Sequence, residues 1–231
     1  MLMVPQNLPE NIQRVQERVM RAASGTGRTV DSVTLLAVSK GQPAEAIRAA
    51  ASLGLREFGE NYAQDALAKV DMLRDLDLVW HFIGQLQTNK TRPIAAAFSW
   101  VHSIDRLRIA ERLSAQRPYH TAPLNVCLQV NIAGEATKAG VAPHEVPALA
   151  AAVAELPRLK LRGLMCVPPA EADRDRQLHW FGQVRELFDS LNAAGAGLDT
   201  LSMGMSDDLE AAIASGATIV RIGTAIFGPR T

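Results

Sequence analysis

The segment VTLLAVSK (residues 33–40) is a run of apolar residues that ends in a lysine. Nearly continuous apolar runs of this kind are typical of strands buried on both faces of a parallel sheet. Seven further runs follow it, separated by amphipathic, alanine-rich stretches. The eight predicted strands cover residues 33–39, 57–60, 78–83, 100–104, 125–131, 161–167, 200–203 and 218–222.

Apolar residues at three- and four-residue spacing lie between several of these runs, which predicts amphipathic helices. The clearest stripes are Leu8, Ile12, Val15 and Val19; Val146, Leu149, Ala150 and Val153; and Phe181, Val184, Phe188 and Leu191. The first stripe predicts an extra helix ahead of the first strand.

Eight strands that alternate with helices predict βαβ units and an α/β fold with a parallel sheet. Eight such units close naturally into a single (β/α)8 TIM barrel, and we expect one domain over residues 1–231. The rival is an open doubly wound sheet. It is disfavoured because no GxGxxG follows the first strand and no GxxxxGK[ST] occurs in the chain.

The composition excludes several classes of protein. The 24 basic and 24 acidic residues balance, which argues against a nucleic-acid-binding protein. No apolar run reaches the roughly 18–20 residues that span a bilayer, and residues 1–13 do not resemble a secretory signal. The two cysteines, Cys127 and Cys166, lie in apolar runs and are interpreted as reduced core thiols. We therefore expect a cytoplasmic protein.

Lys40 is the most informative candidate for chemistry. It ends the first strand, and the site of a (β/α)8 barrel lies at the carboxyl ends of its strands. Desolvation there disfavours the ammonium form, and a neutral amine can attack a carbonyl carbon to form a Schiff base. Most lysines are solvated surface charges, but only five occur in this chain and this one follows buried-strand residues.

The loops after the seventh and eighth strands predict a phosphate site, because barrel enzymes often hold phosphate there. Gly204 allows a close backbone approach or an unusual backbone angle. Ser206 is a candidate N-cap whose hydroxyl faces the amides of a helix that Asp207 and Asp208 open, and an anion there gains from the same amides. Gly223 and Thr224 offer two further amides and a hydroxyl.

Two polar residues interrupt apolar runs. Arg221 lies within TIVRIGTAIF (residues 218–227), and a buried arginine needs acceptors, either a barrel carboxylate or a ligand heteroatom. His81, between Trp80 and Phe82, is interpreted as a core histidine with its hydrogen bonds satisfied. No metal-ligand spacing occurs.

A reactive amine beside a phosphate site points to pyridoxal 5′-phosphate (PLP), and several motifs carry a family resemblance. They are AVSK (37–40), FGENY (58–62), WHFIGQLQTNK (80–90), GLM (163–165), SMGMSDDLEAAI (202–213) and VRIGTAIFG (220–228). In this order they resemble the PLP homeostasis proteins, a group similar to the N-terminal barrel of alanine racemase.

The resemblance implies a PLP fold type III barrel without the second domain, and it assigns roles to individual residues. Lys40 resembles the lysine that forms the internal aldimine. Ser206, Gly223 and Thr224 resemble the phosphate ligands, and Arg221 resembles the arginine that faces the pyridine nitrogen. The remaining pocket residues by resemblance are Asn61, Met165 and the backbone of Val38.

The function implied by the resemblance is PLP holding in intracellular vitamin B6 homeostasis, without catalytic turnover or catalytic residues. Apo forms of PLP-dependent enzymes are the candidate acceptors. The chain ends at Thr231, so we expect neither the second domain nor the dimer of a racemase, and we expect a monomer. Lys138, in the loop after the fifth strand, has no assigned role.

Two alternatives stay open. One is a small PLP-dependent amino-acid racemase or lyase that uses Lys40 as its base. The other is a barrel that binds a phosphosugar and uses Lys40 as an aldolase-like amine.

Overall fold

The structure, a computed structural model, describes residues 5–229, in which strands and helices alternate. The strands are β1 (Thr34–Val38), β2 (Glu57–Glu60), β3 (Val79–Phe82), β4 (Trp100–Ile104), β5 (Leu124–Val130), β6 (Leu159–Cys166), β7 (Thr200–Ser202) and β8 (Ile219–Ile222). The helices are α1 (Leu8–Ser24), α2 (Ala44–Ser52), α3 (Ala63–Met72), α4 (Thr91–Ala97), α5 (Leu107–Gln116), α6 (Val146–Ala154), α7 (Arg174–Ala193), α8 (Leu209–Ala214) and α9 (Thr224–Phe227). Short 3-10 turns precede β1, α4 and α6.

The eight strands form a closed barrel in chain order, and every neighbouring pair is parallel. The barrel closes between β8 and β1, where Val220 of β8 pairs with Leu35 of β1 and Ile222 pairs with Ala37. The predicted (β/α)8 barrel is confirmed, and the open doubly wound sheet is wrong. Predicted and observed strand bounds agree within two residues, the largest difference being the start of β6 at Leu159.

The predicted helix ahead of β1 is confirmed as α1, which packs against α8 and α9. Its apolar stripe, including Ile12, Val15 and Val19, is buried. The side chain of Asn11 also donates to the backbone oxygen of Ile226 at 3.0 Å. Because α8 and α9 have only six and four residues, α1 supplies apolar cover that these short helices lack.

The strands are buried because most of their side chains meet either the barrel interior or the helical layer. Among residues 5–229, no helix has the length and apolar character that crossing a bilayer requires. Residues 1–4 and 230–231, the ends of the predicted domain, lie outside the described residues.

Candidate functional site

A cavity of about 590 Å³ opens at the carboxyl ends of the barrel strands. Every residue that the sequence proposed as cofactor-binding lines it. These are Lys40, Asn61, Met165, Ser206, Arg221, Gly223 and Thr224. They come from five separate segments of the chain, and only barrel closure brings them together.

Lys40 lies two residues beyond the end of β1 and is half-buried at the cavity wall. Val38, the last residue of β1, lines the same wall. The preceding residue, Ser39, is fully buried and its amide donates to the backbone oxygen of Gly59 at 2.9 Å. This bond ties the chain just before Lys40 to β2, which sets where the lysine side chain leaves the barrel.

Asn61 follows β2 directly, and a close backbone approach holds it in place. A Cβ added at Gly84 would lie 2.0 Å from the backbone oxygen of Asn61, so only glycine fits there. Oδ1 of Asn61 is buried and has no hydrogen-bond partner among residues 5–229. Gly84 of the WHFIGQLQTNK motif thus has a structural role in building the cavity wall.

The loop after β7 carries Ser206 into the cavity. Its turn depends on Gly204, whose φ of +96° favours glycine and whose added Cβ would meet Cβ of Ala212 at 2.5 Å. The predicted use of Ser206 as the N-cap of the following helix is wrong, because α8 begins at Leu209 and Asp208 occupies the N-cap position. Two residues between Ser206 and the helix displace the hydroxyl from the α8 amides.

The Ser206 hydroxyl faces the end of β8 instead. The amide of Ala225 donates to its Oγ at 3.4 Å. Among the described residues, the neighbouring amides of Gly223 and Thr224 make no hydrogen bond to another residue. Gly223 and Thr224 stand at the start of α9, where amides have no partner within the helix, so this group of donors is well suited to an anionic ligand group in the cavity.

Arg221 is buried, with 5% of its surface exposed, and lines the cavity. Its Nη1 donates to the backbone oxygen of Ser202 at 2.5 Å and to the Ser202 Oγ at 2.9 Å. Its Nη2 donates to the backbone oxygen of Cys166 at 2.8 Å. The sequence predicted a barrel carboxylate or a ligand as the acceptor for Arg221. Neither is needed, because the barrel oxygens named above accept its hydrogen bonds.

Burial lowers the pKa of the Arg221 guanidinium, and the nearby carboxylate of Asp208 opposes that shift. An arginine stays charged even so, because its ordinary pKa is far above neutrality. The cavity therefore holds a fixed positive charge at its floor, with an amine and a set of hydrogen-bond donors around it.

The sequence is 60% identical to the pyridoxal phosphate homeostasis protein of Pseudomonas aeruginosa, with 96% of each chain covered. It is 51% identical to the protein of that name in Escherichia coli K12, over 97% of each chain. This chain belongs to the pyridoxal phosphate homeostasis protein family. The model of the alanine racemase N-terminal domain family also matches it, over residues 5–231.

Solved structures of the family agree with this fold. PipY of Synechococcus elongatus, in a structure with PLP bound, is 38% identical and superposes with a TM-score of 0.80. It covers 93% of this chain and 100% of its own. The resemblance that the sequence motifs carried is confirmed by these relatives.

Sequence reasoning missed Arg18, which reaches this cavity from α1. Its Nη2 donates to the backbone oxygen of Ser206 at 2.9 Å, and its Nε lies 2.7 Å from Oε1 of Glu210. The helical stripe showed only that α1 is amphipathic. Five other lining residues were also not singled out as cofactor ligands: Ile83, Val167, Met205, Asp207 and Ala225.

Several polar residues at strand ends do not reach the cavity. Asn131 holds its own loop, since its Nδ2 donates to the backbone oxygen of Glu135 at 2.9 Å. Lys138 pairs with Glu135 at 2.6 Å and donates to the backbone oxygen of Pro168 at 3.0 Å. Asp105 lines a different depression of the surface.

The interpretation of the cysteines and of His81 is confirmed. Cys127 and Cys166 are free and buried, and burial raises the pKa of each thiol to about 12. His81 is buried and its two ring nitrogens contact Glu57 and His102. No group of three or more His, Cys, Asp or Glu side chains within residues 5–229 could hold a metal ion.

Proposed function

We propose that this chain holds PLP in the cavity through a covalent bond to Lys40 and serves in intracellular vitamin B6 homeostasis without catalytic turnover. One observation carries the proposal. A single cavity collects the amine of Lys40, the donor group at Ser206 and Gly223, and the guanidinium of Arg221.

The chemistry of the donor set fits PLP. Its phosphate is an anion, and the hydroxyl of Ser206 with the amides of Gly223 and Thr224 would hold it. Lys40 would supply the amine that condenses with the aldehyde, with loss of water. Asn61 and Met165 would line the pocket beside the ring.

Arg221 supports a holding role over a strong electron sink. PLP enzymes that stabilise carbanions keep the pyridine nitrogen protonated with a carboxylate partner. A guanidinium can only donate, so Arg221 would favour an unprotonated ring nitrogen. The two tyrosines, Tyr62 and Tyr119, are exposed and do not line the cavity, so neither is placed as a second base there.

The relatives support the same assignment, since two with more than half of their residues identical carry the name of PLP homeostasis protein. PipY, at 38% identity, has a structure with PLP bound. We extend this to a cytoplasmic monomer that passes PLP to apo forms of PLP-dependent enzymes. Sedimentation at micromolar concentration would check the monomer.

The visible absorption spectrum tests the covalent bond. Wild-type protein incubated with PLP should gain the band of a carbon–nitrogen double bond, and borohydride followed by peptide mapping should place the cofactor mass on the Lys40 peptide. Lys40→Ala should lose both signals. Lys160→Ala, an exposed lysine, is the control and should keep them. A label on any other lysine contradicts the proposal.

An assay of D- and L-amino acids tests the absence of turnover. PLP-loaded protein should show no racemisation or lyase activity near the usual enzyme range of about 1–10³ per second. Activity in that range that disappears in Lys40→Ala would establish the racemase or lyase alternative instead. A colourless wild-type protein after PLP addition would favour the phosphosugar alternative.

A further inference from the structure

A chain of buried hydrogen bonds crosses the inside of the barrel and ends on Arg221. Oε2 of Glu57 lies 2.6 Å from Nε2 of His81, and Nδ1 of His81 lies 2.9 Å from Nε2 of His102. Nδ1 of His102 lies 2.8 Å from the Oγ of Ser202, which accepts from Arg221 at 2.9 Å. We call Glu57, His81, His102 and Ser202 the relay.

The relay runs through the barrel interior because His102 is on β4 and Ser202 is on β7, strands that are not neighbours in the sheet. His81, His102 and Ser202 are buried. Glu57 is the first residue of β2 and its side chain is 31% exposed. One end of the relay is thus at the amino ends of the strands, opposite the cavity, and the other end is at the cavity floor.

The groups at the two ends of the relay, the Glu57 carboxylate and the Arg221 guanidinium, determine which atoms between them carry a proton. A carboxylate only accepts, so Nε2 of His81 must carry the proton that Glu57 receives. Burial lowers the pKa of His81 against the opposing effect of Glu57, and burial with the neighbouring His81 and Arg221 lowers that of His102 well below its usual value, which favours two neutral rings at neutral pH. Nδ1 of His81 then accepts, and Nε2 of His102 must donate.

The same reasoning continues to the cavity. Nδ1 of neutral His102 accepts, so the hydroxyl of Ser202 donates to it. The Ser202 oxygen is then an acceptor for Arg221, whose guanidinium only donates. Each relay member has one defined proton position, and this order needs no other partner.

We infer that His81, His102 and Ser202 are positioning residues that hold Arg221 at the cavity floor, in an order set by Glu57. The Ser202 backbone and hydroxyl both accept from Nη1, and Cys166 accepts from Nη2. Nη1 and Nη2 thus donate to barrel oxygens, whereas the Nε–H of Arg221 makes no hydrogen bond to another described residue. The relay therefore determines which guanidinium donors a ligand meets.

The ligand part of this inference rests on the proposed function, but the proton order does not. Long-range ¹H–¹⁵N spectra of the protein without PLP report which ring nitrogen carries the proton. The buried pair should both be neutral with the proton on Nε2. The other three histidines, His120, His144 and His179, are exposed, which separates their signals by solvent exchange. A proton on Nδ1 of His102, or a doubly protonated ring at neutral pH, overturns the order.

Glu57→Gln tests the link to the cavity, because an amide can donate or accept and so leaves the order undefined. We expect mixed His102 tautomers and a PLP dissociation constant raised about threefold to tenfold, the scale of one hydrogen bond. Ser202→Ala should raise that constant similarly, since it removes the hydroxyl contacts to Arg221 and His102 and leaves only the backbone contact to Arg221. Asp199→Asn, a carboxylate before β7 that pairs with Arg162 at 2.8 Å, is the control and should change neither signal.

The outcomes separate the two proposals. If wild-type protein shows the expected tautomers but takes up no PLP, the proposed function fails and the relay stands. If PLP binds and Glu57→Gln matches wild type in both tautomers and affinity, the relay is wrong and the proposed function stands.

Discussion

The cavity wall and the relay differ in whether their polar groups have hydrogen-bond partners. In the relay, every ring nitrogen of His81 and His102 lies within hydrogen-bond distance of a partner, from Glu57 to Ser202. At the wall, the amides of Gly223 and Thr224 and Oδ1 of Asn61 have no partner among the described residues. Paired groups hold a structure together, whereas unpaired ones at a cavity are available to a ligand.

A second interior cluster lies between β2 and α3, beside the first residues of the wall. Lys69 is buried and pairs with Oε1 of Glu60 at 2.8 Å and with Asp65 at 2.7 Å, and it donates to the backbone oxygen of Ser39 at 3.0 Å. Oε2 of Glu60 has no described partner, and burial raises the pKa of that carboxyl. We therefore expect substitutions in this second cluster to change stability, and substitutions at the wall or in the relay to weaken PLP binding.

The largest effect should come from breaking the interior cluster. Lys69→Met leaves the buried carboxylate of Glu60 without its cation, and we expect the free energy of unfolding to fall by about 3–5 kcal/mol. Urea unfolding at pH 7 measures it. Lys160→Met, at an exposed position, should show no comparable change. A small loss in Lys69→Met would mean that the cluster is not a paired interior group.

The next effect concerns how the wall is built. Gly84→Ala forces a Cβ to within 2.0 Å of the Asn61 backbone oxygen, and we expect a loss of about 1–3 kcal/mol together with weaker PLP binding. Gly182→Ala, within α7, meets nothing within 4 Å and should stabilise the protein by about 0.5–1 kcal/mol. Opposite signs for the two substitutions, in thermal unfolding, support a wall made by close backbone approach.

The pH dependence of stability sharpens the view of the relay. Burial lowers the folded-state pKa of His102 below its usual value of 6.5. A lowered folded-state pKa stabilises the protein above pH 6.5, and that stability is lost as the pH falls below 6.5. One buried neutral histidine changes the slope by about 1.4 kcal/mol per pH unit.

Urea midpoints between pH 7.5 and 5 measure this slope. His102→Asn should flatten it, and His144→Asn, an exposed position, should leave it unchanged. An unchanged slope in His102→Asn would show that the relay histidine is not held neutral by folding.

The smallest effect concerns the contact between α1 and the wall. Arg18→Met removes the bonds to Glu210 and to the Ser206 backbone, and because the pair is partly exposed we expect only about 0.5–1 kcal/mol. PLP binding should weaken about threefold, as the loop that carries Ser206 loses a support. Arg48→Met removes a pair with Asp75 on the exposed surface and should alter neither stability nor PLP binding. Equal effects of Arg18→Met and Arg48→Met would show that Arg18 does not support the cavity wall.

Much of the wall could be predicted from the sequence because its residues follow strands. Lys40 ends the apolar run of β1, and the rule that barrel sites lie at the carboxyl ends of strands placed it correctly at the cavity. Ser206 was placed at the cavity correctly because it follows the seventh strand, whereas its predicted use as the N-cap of α8 is wrong. The interior clusters were not predicted, although polar His81 and His102 within apolar runs were a usable signal.

Hydrophobic periodicity by itself determined the eight strands, the helix ahead of them and the end of the barrel where Lys40 lies, because each depends on residues within a few positions of one another. Only the tertiary structure decided that Arg18 meets Ser206, 188 residues away, and that His102 meets Ser202, 100 residues away. Barrel closure sets those distances. No local pattern reports which side chains of non-neighbouring strands meet across the barrel interior.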